Sequence, residues 1–266
     1  MNIGRKQEIQ ELEKISKRLR NNILDMVYNA QSGHIGGSFS IIDILNVIYT
    51  RQIGKRNTKK AEDIVVLSKG HASPALYSIL YEVGKIDSIE GFRRINSILE
   101  GHPTPKINGV QIATGSLGQG LSSAIGMGLV DKLENRNRKI YVIIGDGEMQ
   151  EGQVAEALLS LSKYMLKNIT VIIDCNNLQI DGHVTEIKNI YPLKKRLKAY
   201  NFKIFEINGH NFNQIIEVLD KKVELPKIVL AKTIKGKGVS FMENEKSWHG
   251  KAPTKEEYER AKAELK

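Results

Sequence analysis

A doubly wound parallel α/β sheet with helices on both faces is the fold class this sequence predicts, and three observations predict it. Apolar runs at 139–144, 169–174, 203–207 and 227–233 are short and nearly continuous, as strands buried on both faces are. Amphipathic helical patterns separate them at 151–165, near 193–199 and at 212–223, the alternation of βαβ units. The first of these runs ends in Gly145-Asp146-Gly147, a tight acidic turn at a strand's carboxyl end, where open α/β sheets hold their ligands.

In chain order, Ile9, Leu12, Ile15, Leu19, Ile23, Met26, Val27 and Ala30 keep helical spacing through a long first helix, which stops at the loop Ser32-Gly33-His34-Ile35-Gly36-Gly37. A second helix is expected from about Ser40 to Gln52, a short buried strand at 63–68 and a helix at 72–84. Residues 120–134 read as a glycine-dotted, closely packed helix before the strand–helix alternation begins. No repeat, low-complexity tract or composition break divides the chain. Residues 1–252 are therefore read as one domain, and 253–266, a Pro253-Thr254 start followed by charged helix, as a C-terminal tail.

Composition narrows the function classes. A chain of 266 residues with 41% hydrophobic content can bury a substantial core. The net charge of +10 invites a nucleic-acid reading, but the basic residues are scattered, and the densest cluster, Lys194, Lys195, Arg196 and Lys198, lacks an aromatic stacking platform. No nucleic-acid partner is expected, and an anionic small ligand accounts for part of the balance equally well. No apolar run reaches membrane-span length, and Met1 to Arg20 is charged, without a signal peptide's apolar centre; no membrane partner and a cytoplasmic location are expected. The single cysteine, Cys175, lies in an apolar strand pattern and is expected to be buried and inert.

The turn at 145–147 has a partner. The next strand, "ITVIIDC", finishes at Asn176-Asn177-Leu178, so Asp146 and Asn176 are expected to emerge from neighbouring strand ends, within reach of one cation. A carboxylate, an amide oxygen and a backbone carbonyl suit Mg2+, with phosphate oxygens and water completing an octahedron. Gly147 opens a helix and leaves its N–H to a phosphate. Glu148, one residue on, is read as solvated.

Gly145-Asp146-Gly147, 28 intervening residues and Asn176-Asn177 together resemble the thiamine diphosphate signature. All six histidines, His34, His71, His102, His183, His210 and His249, have a glycine directly beside them, and their loops resemble the transketolase family block by block. The blocks are "SGHIGGS", "LSKGHASPALY", "EGHPTP", "TGSLGQGLSSAIGMGL", "GDGEMQEGQVAEAL", "NNLQIDG" and "KGKGVSFMENEKSWHGKAP", in the family's order.

The resemblance implies a thiamine diphosphate-binding fold of the diphosphate type, with Asp146, Asn176 and the Leu178 carbonyl binding Mg2+. It places His71, His249, Asn176 and Gly147 at the diphosphate and Gly115 and Leu117 along the aminopyrimidine. His34, His102 and His249 would face the reacting carbon chain, where donors to a developing oxyanion and a carrier for a hydroxyl proton are needed. His183 and His210 are kept as structural, and Glu151 is implied to be a buried carboxylate near a subunit contact. Ile35 and Ser116 stand where many full-length members carry proline, and Thr104 where they carry glutamate; these departures bear on substrate, not cofactor. The family's activating glutamate belongs to a second, pyrimidine-binding domain. The resemblance therefore implies the N-terminal subunit of a split transketolase that works with a C-terminal subunit, two copies of each, on sugar phosphates such as xylulose 5-phosphate and ribose 5-phosphate. A subunit of a deoxyxylulose phosphate synthase or a 2-oxo acid dehydrogenase is the alternative within the same cofactor class.

Overall fold

The computed structural model describes residues 3–53 and 62–266; the first two residues of the charged N-terminal segment lie outside the described residues. Five parallel strands, β1 (Ile64–Leu67), β2 (Ile140–Gly145), β3 (Ile169–Cys175), β4 (Lys203–Asn208) and β5 (Lys227–Lys232), form one sheet in the order β1-β2-β3-β5-β4. The fold class read from the sequence is the one observed. Side chains alternate along each strand, so Ile143 and Ile172 enter one core while Val142 and Ile173 enter the other.

The first core lies under α1 (Ile3–Ala30), α2 (Ile35–Asn46) and α3 (Ser73–Glu82); the second lies under α4 (Gln119–Leu133) and α5 (Gly152–Tyr164). Two short helices, α6 (Val184–Ile187) and α7 (Leu193–Lys198), join the second side before β4, and α8 (Phe212–Asp220) returns to the first. The chain leaving β1 thus goes to one face and the chain leaving its neighbour β2 to the other. Their carboxyl ends bound a crevice, the place where such sheets bind ligands. The tail forms α9 (Lys255–Glu264), started by a Thr254–Glu257 capping box and laid on α1, with Tyr258 stacked on Tyr28 at 4.1 Å and Ala261 buried in the first core.

The main departure from the sequence reading is the start of α2. The loop expected through Gly37 ends at His34, and Ile35, Gly36 and Gly37 already form the helix's first turn. Every residue of α2 is buried, so glycine's poor helix propensity is overridden by packing. A Cβ on Gly36 would stand 2.8 Å from the Trp248 carbonyl oxygen, and the Gly236 N–H donates to the Gly36 carbonyl at 3.0 Å, so segment 233–249 lies directly on this turn.

Polar groups of the buried α2 are all tied outward. Arg20 of α1 donates bidentately to Asp43 at 2.8 Å and, through Nε, to the Lys237 carbonyl at 2.8 Å. His210 Nε2 accepts from the Ile234 N–H at 2.9 Å, so Nδ1 carries the proton and donates to Asp43 at 2.8 Å. That agrees with the structural role expected of His210. Burial alone would raise the Asp43 carboxyl; Arg20 and His210 hold it well below the ordinary carboxylate range. Asp43→Ala strands a buried guanidinium and is expected to cost about 3–5 kcal/mol of unfolding free energy in urea denaturation, whereas a loss under about 1 kcal/mol would show that Arg20 finds another partner.

Candidate functional site

The candidate residues meet at the carboxyl edge of the sheet. Asp146 follows β2 and Asn176 follows β3; these strands are paired, with Gly145 opposite Asp174. Asp146 is 2% exposed, and its Oδ1 accepts from the Gly147 N–H at 2.8 Å while Oδ2 accepts from the Asn177 N–H at 2.6 Å and from the Tyr191 hydroxyl at 3.1 Å. Among the described residues it has no ion pair. Burial first, and the charge of Asp174 second, push its carboxyl up to about 6. A buried carboxylate without a cation is costly, and a divalent ion at this point would remove the cost.

Asn176 has its amide turned by Asp174, which accepts from Nδ2 at 3.0 Å; its Oδ1 takes the Leu178 N–H at 3.0 Å. The next oxygen along, Asn177 Oδ1, is buried without a hydrogen-bond partner. Asp146, Asn176 and the Leu178 carbonyl form an all-oxygen donor set of the kind that Mg2+ takes, and the residues present fit that ion. Among the described residues no group of three His, Cys, Asp or Glu side chains converges as a metal site, so a transition-metal cluster of that kind has no support.

Facing this edge are three imidazoles. His34 caps α2, His71 sits in the short 3-10 turn Gly70–Ala72 after β1, and His249 ends the turn Lys246–His249. Their ring centroids form a triangle with sides of 5.3, 5.3 and 5.2 Å. Lys235 Nζ, on a side chain only 2% exposed, donates to His249 Nδ1 at 2.9 Å, which leaves the His249 proton on Nε2. Burial, then the charge of Lys69, brings the Lys235 ammonium down to about 8. His34 is lowered to about 4 by burial and then Arg93; His249 to about 3 by burial and then Lys235; His71 well below its ordinary value by burial and then Lys69. His34 Nδ1 is buried with no hydrogen-bond partner. Gly37 floors the group: a Cβ there would meet both His71 Nε2 and Lys69 Nζ at 3.5 Å, space that a diphosphate oxygen can use.

Gly115, Leu117 and His102 lie beside this group on the irregular stretch between α3 and α4. A Cβ on Gly115, whose φ is +139°, would lie 2.8 Å from the His102 ring, and a Cβ on Gly70 would lie 2.7 Å from Gly115 N. The loop therefore packs on the His71 turn, with His102 covering Gly115. His102 is exposed, outside the triangle, and lowered by burial and Arg93. His183 is exposed in the 176–183 loop, apart from the three.

Two readings need correction or addition. Glu148 is not solvated: it is 2% exposed and accepts from Ser68, Gly118 and Gly145, because the turn Gly147–Gln150 folds it back under β2. Glu151 is exposed on this chain. Cys175 is half-buried rather than buried, its thiol pushed well up by burial and the neighbouring aspartates, so it is inert as expected. Lys69, Asp174, Lys235 and Tyr191 were not read as site residues. The signal for Asp174 was present, since a carboxylate closing the apolar run 169–173 needs a buried partner.

The three imidazoles stay neutral in the folded chain at pH values where an unfolded histidine, with a pKa of about 6.5, takes up a proton. Their contribution to stability is present above that value and lost as pH falls below it. Long-range 15N–1H NMR at pH 5.5 is expected to show His34, His71 and His249 as neutral tautomers; imidazolium signals from them would contradict the burial described.

A family model described as the transketolase, thiamine diphosphate binding domain matches residues 12–266. One of the two subunits of the apulose-4-phosphate transketolase of Phocaeicola vulgatus is 36% identical over 97% of this chain and 95% of its own length. The 6-deoxy-6-sulfo-D-fructose transketolase subunit of a Clostridium species is 36% identical over 96% of each. A crystal structure of transketolase from Campylobacter jejuni superposes with a TM-score of 0.90 and 34% identity, over all of this chain and 43% of that one. The chain therefore spans nearly the whole of the separate subunits and less than half of that longer transketolase. With its strand-end aspartate, asparagine pair and histidine cluster in the matched span, the chain belongs to the transketolase thiamine diphosphate-binding domain family.

Proposed function

We propose that this chain is the diphosphate-binding subunit of a two-subunit transketolase. The observation that carries the reading is the meeting, at one sheet edge, of an unpaired buried carboxylate, three neutral imidazoles and a buried lysine. Asp146, Asn176 and the Leu178 carbonyl would hold Mg2+, and His71, His249, Asn176 and the Gly147 N–H would hold the diphosphate, with Lys235 adding charge. Gly115 and Leu117 would line the aminopyrimidine. When bound, thiamine diphosphate supplies the chemistry that moves a two-carbon ketol unit between carbonyl carbons.

The chain's own residues then supply proton handling and orientation. His34, His102 and His249 would lie along the substrate's carbon chain. Neutral rings suit that task, because each offers one N–H to a developing oxyanion and one lone pair to a hydroxyl proton. Glycines 36 and 37 keep the floor low enough for a chain of hydroxylated carbons.

The second domain that the family uses to complete its site has no counterpart within residues 3–53 and 62–266, whose single sheet is described above. The proposal therefore includes a C-terminal subunit bearing the pyrimidine domain, two copies of each chain, a cytoplasmic setting, and a phosphorylated ketose such as xylulose 5-phosphate as donor with an aldose such as ribose 5-phosphate as acceptor. Among the described residues no helix is long and apolar enough to cross a membrane. The names of two relatives cite apulose 4-phosphate and 6-deoxy-6-sulfo-D-fructose, so both ketoses belong in the donor panel. Two-carbon transfer should be absent for the chain alone and arise on adding the C-terminal subunit, with thiamine diphosphate and Mg2+ required. Robust turnover by the chain alone, or none from any donor with the subunit present, would contradict the reading.

A further inference from the structure

Glu148 gathers three hydrogen bonds from separate segments. Ser68 Oγ, just past β1, donates to Oε1 at 2.5 Å; the Gly118 N–H, at the entry to α4, donates to the same oxygen at 2.9 Å; the Gly145 N–H, at the end of β2, donates to Oε2 at 3.1 Å. Gly118 adopts a left-handed φ of +85°, so its N–H faces the carboxylate through a backbone form that favours glycine. The other end of that loop is fixed separately, where Thr114 Oγ1 donates to the Leu67 carbonyl at 2.7 Å.

We propose that Glu148 is a positioning residue that sets the span of the cofactor cradle. This rests on the reading above, in which Gly115 and Leu117 take the aminopyrimidine while Gly147 and Asp146 take the diphosphate and its ion. Those groups sit on two segments that α4, a strand and a turn separate in sequence. Each oxygen of one buried carboxylate accepts from one of these segments, so the distance between the two ends of the cradle is fixed to the width of a carboxyl group. Thr114 ties the loop only to β1, and β1 carries neither the turn nor the ion ligands.

The geometry makes the two ends separable. In Glu148→Gln the amide oxygen can keep Ser68 and Gly118, but Nε2 then faces the Gly145 N–H, donor to donor, and the β2 link is lost with little change in shape. Glu148→Asp keeps the charge and is one methylene too short to reach both segments. Thiamine diphosphate with Mg2+ touches both ends of the cradle, whereas inorganic pyrophosphate with Mg2+ touches only the turn.

Calorimetric titration of both ligands into the full chain, with its C-terminal subunit present, tests the assignment. Glu148→Gln and Glu148→Asp are expected to weaken thiamine diphosphate binding roughly tenfold or more, the effect of an unsatisfied buried donor, and to change pyrophosphate binding by less than about twofold. Hydrogen exchange at the Gly145 amide should rise in the glutamine variant. Unchanged thiamine diphosphate affinity in both variants, or equal loss of both ligands, would overturn the proposal, the second because it marks a general structural effect. Failure of the wild-type chain to bind either ligand would overturn the functional reading itself, and the proposal with it.

Discussion

A single buried carboxylate, Asp174, organises the carboxyl edge of the sheet. It is fully buried near the end of the central strand β3, and its oxygens accept from Lys69 Nζ at 2.5 Å, Ser40 Oγ at 2.7 Å, Asn176 Nδ2 at 3.0 Å and the Thr233 hydroxyl. Those donors come from the chain after β1, from α2, from β3's own exit and from the chain after β5. Burial alone would raise this carboxyl, but the Lys69 charge and the hydrogen bonds hold it below its ordinary value. Each donor is a short step from a candidate site residue: Lys69 from His71, Ser40 from Gly37, Thr233 from Lys235, and Asn176 is one itself. Low dielectric makes such a network strong when complete and costly when broken, which suits it to holding loops in register.

The contrast with Asp146 explains how one edge can be rigid and receptive together. The two aspartates end paired strands, yet Asp174 has its cation built in as Lys69, while Asp146 has only hydrogen-bond donors. The first is satisfied within the chain; the second is left with negative charge to place. Around them Lys69 and Lys235 depress the imidazoles electrostatically, keeping neutral rings next to a position suited to an anion. A site with fixed donors and one missing cation is preorganised for a metal–diphosphate group with little rearrangement.

Much of this was legible in the sequence, because local pattern carries it. The buried strands β2, β3 and β5 are nearly continuous apolar runs, and the Asp146 turn and Asn176 pair follow two of them directly. Glycine-flanked histidines in loops marked His34, His71 and His249, which the fold then brings together. What was not legible depends on partners far away in the chain. Glu148 reads as a solvated turn residue until Gly118 arrives from 30 positions earlier. Lys69 and Lys235 look like ordinary basic residues among 40 until burial pairs one with Asp174 and the other with His249. The early start of α2 was missed because a glycine pair argues against helix locally, whereas close approach of segment 233–249 requires glycine there.

The central claim is that Asp146 is the unsatisfied charge for which this edge is built. Asp146→Asn removes that charge while keeping the side chain's shape, so titrating thiamine diphosphate with Mg2+ into wild-type and variant chains, each with the C-terminal subunit, measures the claim directly. The account predicts an affinity loss of roughly a hundredfold or more for the variant, with an unchanged circular dichroism spectrum. Equal affinity of the two proteins would contradict it.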